Sequence, residues 1–281
     1  IPANTDNLVV VNRNDRFVGL LPIGTILVSD PAVSVREMMI TDQEAINAET
    51  SATEVARRFE RNDWISAPVV DSMGKLLGRI TIDDVVDVIR EEADHSLTSL
   101  AGLAEEDTFD PVWQSAPRRA IWLGINLITA LLASSVINMF QDTIEKVVAL
   151  AVLMPIVASM GGIAGTQSLT ILIRAMAMGQ INGRNQLWLV GRESLVGLLN
   201  GLLWAGVIAI TASLWFGDAT LGVIIACAML INLVTAGLAG AGLPLLLRRL
   251  RIDPALAGGV LVTTVTDVMG FLAFLGLAAL F

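Results

Sequence analysis

Asp267 is the only ionisable side chain in the last apolar stretch of the chain, residues 254–281. It lies 13 residues beyond Pro254. At 1.5 Å per residue that is about 20 Å along a helix, well inside a ~30 Å hydrocarbon core. A carboxylate at that depth costs at least ~2.5 kcal/mol against insertion, so it faces a polar interior and marks an ion path. Helical spacing puts Gly259, Thr263, Asp267 and Gly270 on one stripe. No Lys or Arg sits at matching depth in any apolar stretch, which excludes an ion pair. The structural alternative is a protonated carboxyl bonded to Asn126, Asn200 or Asn232.

A second chemical element lies at Met154 to Ser168, MPIVASMGGIAGTQS. Its proline removes an N–H and frees a carbonyl, and its three glycines let a backbone or a hydrated ion come close. A break or kink is expected there. Small-residue helix packing is the other reading, and the two are compatible. One carboxylate per chain among carbonyls and hydroxyls suits Mg²⁺, which keeps several waters and binds through one or two carboxylates. Two chains on a two-fold axis would supply two copies of Asp267 and match the ion's charge. Apart from Cys227 the apolar stretches hold no thiolate or imidazole, which disfavours Zn²⁺ and Cu⁺. Composition leaves Mn²⁺, Ca²⁺ and Co²⁺ open.

These groups need a membrane scaffold. Of the 281 residues 54% are hydrophobic and 16% charged. The charge is unevenly spread: residues 1–117 carry 9 Lys/Arg against 21 Asp/Glu, residues 118–281 carry 9 against 6. The acidic front argues against a nucleic-acid partner. Five runs reach spanning length, at 120–141, 147–173, 194–217, 221–247 and 254–281. Arg118, Arg119, Arg174, Arg184, Arg192, Arg248, Arg249 and Arg251 flank one side, and Lys146 alone the other. That bias places the acidic front in the cytoplasm and the C-terminus outside. The expected architecture is a five-helix α-helical polytopic membrane domain, 118–281, behind an N-terminal α/β cytoplasmic module. Cys227 reads as a small buried packing residue, and no HExxH zinc-protease motif is present. The chain opens at Ile1 with no signal-peptide pattern, so it reads as part of a longer protein.

Within the front module, ISAPVVDSMGKLLGRITIDDVVDVIR at 65–90 reads as strand, turn, strand and a helix capped near Thr81 or Asp83. An amphipathic helix at 52–61 precedes it, with Val55, Ala56 and Phe59 on one side. Residues 8–28 repeat the second half of this pattern. Ala67-Pro68-Val69-Val70-Asp71 and Gly78-Arg79-Ile80-Thr81-Ile82-Asp83-Asp84 resemble a CBS domain pair. The partial first repeat covers 1–39 and the second 40–90. By that resemblance Thr81 and Asp84 would hold a nucleotide ribose, with ATP as a regulatory ligand; a CBS fold that binds no nucleotide is the other reading. Residues 91–117 form a connecting, plug-like segment rich in carboxylates (Glu91, Glu92, Asp94, Glu105, Glu106, Asp107, Asp110), helical through about Leu103. Carboxylates facing an acidic surface repel unless cations bridge them, which provides a metal-dependent switch.

MPIVASMGGIAGTQSLTILIRAMAMGQI, GRESLVGLLNG and IDPALAGGVLVTTVTDVMGFLAFLGLAAL resemble the MgtE family of magnesium transporters, and the likeness spans essentially the whole chain. The resemblance implies a homodimer in the plasma membrane, with a pore lined mainly by the second and fifth spans. It implies Asp267 as the pore carboxylate, with Ser159, Gly162 and Thr263 around a hydrated Mg²⁺. It also implies regulatory Mg²⁺ sites involving Asp253, Glu92 and Asp94 that close the pore when cytosolic Mg²⁺ is high. Two departures stand out. Ile163 occupies a position where the family has Asn, and the acidic helical domain that precedes the CBS pair in the family is not in this sequence.

A Mg²⁺ channel gated by cytoplasmic Mg²⁺ is therefore the expectation. A Na⁺- or H⁺-coupled exchanger would need a second intramembrane carboxylate, and Glu193, beside Arg192 near the end of the third span, reads as an interfacial pair. A nucleotide-sensing scaffold without transport would leave Asp267 buried without a task. No nucleophile and base stand in a plausible catalytic arrangement, so an enzyme is not expected.

Overall fold

The computed structural model describes residues 5–100, 103 and 109–281, with the backbone alone at 92, 96, 97 and 100. The chain divides into two compact units, Ile1–His95 and Ser96–Phe281.

In the first unit, β1 (Asn7–Val11) and β2 (Phe17–Pro22) form an antiparallel hairpin, followed by the short helices α1 (Ile23–Val28) and α2 (Val35–Met38). Next come β3 (Ile46–Asn47), α3 (Ala52–Asn62), β4 (Ser66–Val70), β5 (Leu76–Thr81) and α4 (Ile82–Leu100). β3 pairs parallel with β4, and β4 pairs antiparallel with β5 around a turn at Gly74, whose φ of 80° suits glycine. Ser51 caps α3 by accepting from the Glu54 amide, and Asp63 ends it in the left-handed region. The apolar face of α3 supplies Val55, Ala56 and Phe59 to a core completed by Ile46, Ala67 and Val85, with Trp64 edge-on to Phe59 at 5.7 Å. The two halves are joined at Asp6, which accepts from the Ser66 hydroxyl at 2.8 Å. The strand–turn–strand–helix order of 65–90 and its shortened copy near the N-terminus are both present. α4 is described as far as Leu100; residues 101 and 102 lie outside the described residues, and the Leu103 amide donates to the Thr98 carbonyl. Glu105, Glu106 and Asp107 lie outside the described residues.

The second unit holds α5 (Val112–Met139), the short α6 (Gln141–Lys146), α7 (Ala149–Ala177), α8 (Gln186–Phe216), α9 (Ala219–Arg249) and α10 (Pro254–Leu280). All but α6 are long and apolar enough to cross a membrane. α5 and α8 start eight residues before the expected points, at Val112 and Gln186. An apolar window ends where Arg and Trp appear, whereas the backbone ladder continues through them into the interfacial layer.

α9 is the hub. Of its most apolar window 56% is buried, against 6% for α5, and it packs on α7, α8 and α10. Small residues make this close approach feasible. A Cβ at Gly197 of α8 would lie 2.5 Å from the Leu233 carbonyl oxygen, and one at Gly240 would lie 2.5 Å from that of Gly165 in α7. Gly217 in the left-handed region and Asp218, which accepts from the Thr220 and Leu221 amides, make the tight turn from α8 to α9.

Two expectations are corrected. α7 runs unbroken through Pro155 and the glycines. Its glycines serve helix packing: a methyl at Gly165 would overlap Val262 of α10, and one at Gly161 would overlap Asn232 of α9. Cys227 is exposed on α9 rather than buried, because the packed face of that helix is taken by Ile224, Ile225, Ala228 and Met229.

Candidate functional site

α7 and α10 face each other along a groove of about 500 Å³. Ser159, Gly162, Ile163, Thr166 and Gln167 line it from α7, a stripe at helical spacing, and Thr263 and Asp267 line it from α10 one turn apart. All four residues expected to surround the ion, Asp267, Thr263, Ser159 and Gly162, thus share one concavity. Gly162 would bring a Cβ only to 3.8 Å from the Thr263 methyl, so a small side chain is sterically tolerable there. What the glycine contributes is room.

Asp267 is half-buried and has no hydrogen-bond or ion-pair partner among the described residues. The amide alternatives fall away: Asn126 and Asn200 are exposed, and the buried Asn232 donates to the Val157 carbonyl at 2.8 Å. The Thr263 hydroxyl donates back to the carbonyls of Gly259 (2.9 Å) and Val260 (3.0 Å), which turns its lone pairs outward as acceptors. Thr166 donates to the Gly162 carbonyl at 2.8 Å, and Ser159 is exposed. A carboxylate and hydroxyl oxygens on one wall, in an otherwise apolar helix pair, can hold a cation through its water shell. Ile163, 56% exposed, gives the groove an apolar wall where the resemblance expects an amide.

The remaining expected residues lie elsewhere. Asp253 caps α10, accepting from the Ala255 amide at 2.9 Å with Pro254 as the first helical residue. Asp94 is exposed on α4; Glu92 is on the same helix, but its side chain lies outside the described residues. Asp253 belongs to one compact unit and these two to the other. Among the described residues no group of three or more His, Cys, Asp or Glu side chains could hold a metal ion. Thr81 and Asp84 do meet: Asp84 accepts from the Thr81 hydroxyl at 3.0 Å and from its amide at 3.1 Å, where α4 begins. That contact fixes the turn into the helix as a capping box does.

Glu193 keeps the Arg192 partner expected from the sequence, but it is 2% exposed within α8 and has a second partner on another helix. It pairs with Arg192 at 2.9 Å and accepts from the buried Ser168 hydroxyl of α7 at 2.8 Å. The sequence signalled the neighbouring Arg192 but not Ser168, which α7 brings to it from 25 residues away.

The fold and the groove define a class: an integral membrane protein whose five-helix domain carries a lone carboxylate on a helix–helix groove, behind an α/β module. The family model MgtE, described as a divalent cation transporter, matches residues 154–277, and the CBS domain model matches 35–91. The chain is 34% identical to the magnesium transporter MgtE of Bacillus subtilis (strain 168), over 100% of this chain and 62% of that protein. It is 35% identical to the magnesium transporter MgtE of Thermus thermophilus, over 97% of this chain and 61% of that one. Among solved structures, the cytosolic domain of the Mg²⁺ channel MgtE in complex with ATP aligns at 37% identity with a TM-score of 0.30, over 31% of this chain and 35% of that one. The chain is thus similar to MgtE proteins over essentially its whole length, and it spans about three fifths of the length of the curated relatives it matches.

Proposed function

We propose that this chain forms a Mg²⁺-conducting pore across the plasma membrane, as a homodimer, with Asp267 as the carboxylate that binds the passing ion. The observation that carries this reading is Asp267 itself, a carboxylate in an apolar helix with no partner among the described residues, facing the groove with Thr263, Ser159 and Gly162. One such wall per chain holds a single negative charge, and a second copy across a two-fold axis would complete the neutralisation of a divalent ion. The relatives named as magnesium transporters support Mg²⁺ as the cargo. The arginines at one set of helix ends support a cytoplasmic module and an outside C-terminus.

Gating belongs to the same proposal. Cytosolic Mg²⁺ would bind regulatory carboxylates, Glu92, Asp94 and Asp253 among them, and favour the closed pore. Thr81 and Asp84 would bind ATP as a regulatory ligand, since their preformed contact leaves an exposed hydroxyl and carboxylate at one strand–helix turn. A coupled exchanger needs a second free carboxylate in the membrane. Glu193 is the other carboxylate inside a long helix, and its ties to Arg192 and Ser168 make it a structural pair.

Uptake into proteoliposomes tests the reading, with Mg²⁺, Mn²⁺, Ca²⁺ and Na⁺ supplied separately beside an Asp267→Asn variant. Mg²⁺ flux that disappears in the variant is expected. No divalent flux from a well-folded dimer held at low Mg²⁺ would turn the reading toward a scaffold. Deleting residues 1–90 is expected to leave a pore that no longer closes at millimolar Mg²⁺; unchanged inhibition would place the sensor elsewhere.

A further inference from the structure

Asn232 lies outside the groove, yet it is wedged between the two helices that form it. It is fully buried at the middle of α9. Its side-chain amide fills a notch made by one glycine from each groove helix. A methyl at Gly161 of α7 would overlap that amide, and a Cβ at Gly270 of α10 would lie 2.7 Å from its nitrogen. Gly161 adjoins the groove residue Gly162, and Gly270 lies three residues beyond Asp267. The amide nitrogen donates to the Val157 carbonyl at 2.8 Å, two residues before Ser159. The amide oxygen is buried with no hydrogen-bond partner among the described residues.

A half-satisfied amide is a poor choice for filling space, because a buried unpaired acceptor forfeits its hydration where an aliphatic group would not. What an amide supplies is direction. Its N–H pins the height of α7 against α9, while its bulk holds α7 and α10 apart at the level of the ion-facing residues.

We infer that Asn232 is a positioning residue that sets the spacing of α7 and α10 and thereby the ion preference of the groove. This rests on the transport reading above. Mg²⁺ sheds its waters reluctantly and crosses a constriction partly hydrated, whereas Ca²⁺ accepts a flexible, less hydrated shell. Shrinking the wedge lets the two helices approach, which penalises the larger hydrated ion.

Two readouts test the inference in the full chain. The first is geometric and independent of transport: the rate of disulfide cross-linking between Gly162→Cys and Thr263→Cys, in a Cys227→Ser background. The second is the Mg²⁺/Ca²⁺ flux ratio in proteoliposomes, measured with native residues at 162 and 263. Asn232→Ala is expected to speed cross-linking severalfold and to lower the flux ratio severalfold. Adding Gly161→Ala, whose methyl occupies part of the vacated notch, is expected to move both values back toward wild type. Asn232→Ser, a smaller perturbation, takes its place if the alanine variant does not fold. An unchanged cross-linking rate in a folded variant overturns the wedge. A changed rate with an unchanged flux ratio reduces Asn232 to packing and overturns its role in ion preference. Absent flux in the wild type is a failure of the transport reading, and the cross-linking arm still decides the wedge.

Discussion

Two carboxylates lie within the five long helices of the membrane unit, and their surroundings are opposite. Glu193 is 2% exposed and fully engaged, by Arg192 on its own helix and by Ser168 on α7. Asp267 is half-buried, faces a groove and has no partner among the described residues. Burial therefore does not single out the group available to an ion. A paired carboxylate has its charge already spent on the fold, whereas an unpaired one beside oxygen acceptors holds its charge for something that arrives from outside.

The same change at both positions puts that contrast to its hardest test. Asp267→Asn removes the charge that would bind the ion and is expected to cut Mg²⁺ flux by about two orders of magnitude, equivalent to ~2.7 kcal/mol of ion binding. The elution volume and the thermal midpoint should be unchanged. Glu193→Gln is expected to leave flux per folded molecule within about twofold of wild type and to lower stability by ~1–2 kcal/mol, because Arg192 and Ser168 lose a charged acceptor. Half of the Arg192 side chain stays in contact with solvent, which limits the loss. Strong flux from the Asp267 variant, or collapse of transport in the Glu193 variant at intact stability, would reverse the assignment of roles.

Smaller effects sharpen the contrast between a helix pair built for room and one built for contact. Gly197→Ala pushes a methyl onto the Leu233 carbonyl at the α8–α9 seam and is expected to cost ~1–3 kcal/mol in a thermal melt. On the groove wall, Ile163→Asn adds a polar group without crowding, and a shift of about fivefold in the Mg²⁺/Ca²⁺ flux ratio is expected, the worth of one hydrogen bond. Equal stability losses from both changes would deny that the groove is open space. The smallest effect belongs to Asp253→Ala, which removes the α10 cap at a cost of ~1 kcal/mol, read in the same melt.

Much of this was legible in the chain of letters. Five apolar runs announce five helices because a bilayer demands some 20 apolar residues and full internal hydrogen bonding from each. Strand alternation and turn residues announce the α/β module. Asp267 is visible because a single charge in an apolar run has no local explanation. Position along a helix also aligns Thr263 with Asp267, and Ser159 with Gly162, through the 3.6-residue period alone.

Tertiary structure decided which helices meet and what each contact is for. The glycines of α7 read equally well as a break or as a packing seam, and the helix remains whole because neighbouring helices occupy the space those glycines leave. Cys227 is apolar by sequence and exposed by rotation, since the face a helix buries is chosen by its neighbours. The engagement of Glu193 by Ser168 spans 25 residues of sequence, and the reach of Asn232 to Val157 spans 75. Periodicity is a property of one helix and can be read within it. Pairing across helices depends on how whole helices settle against one another, and no local pattern records that.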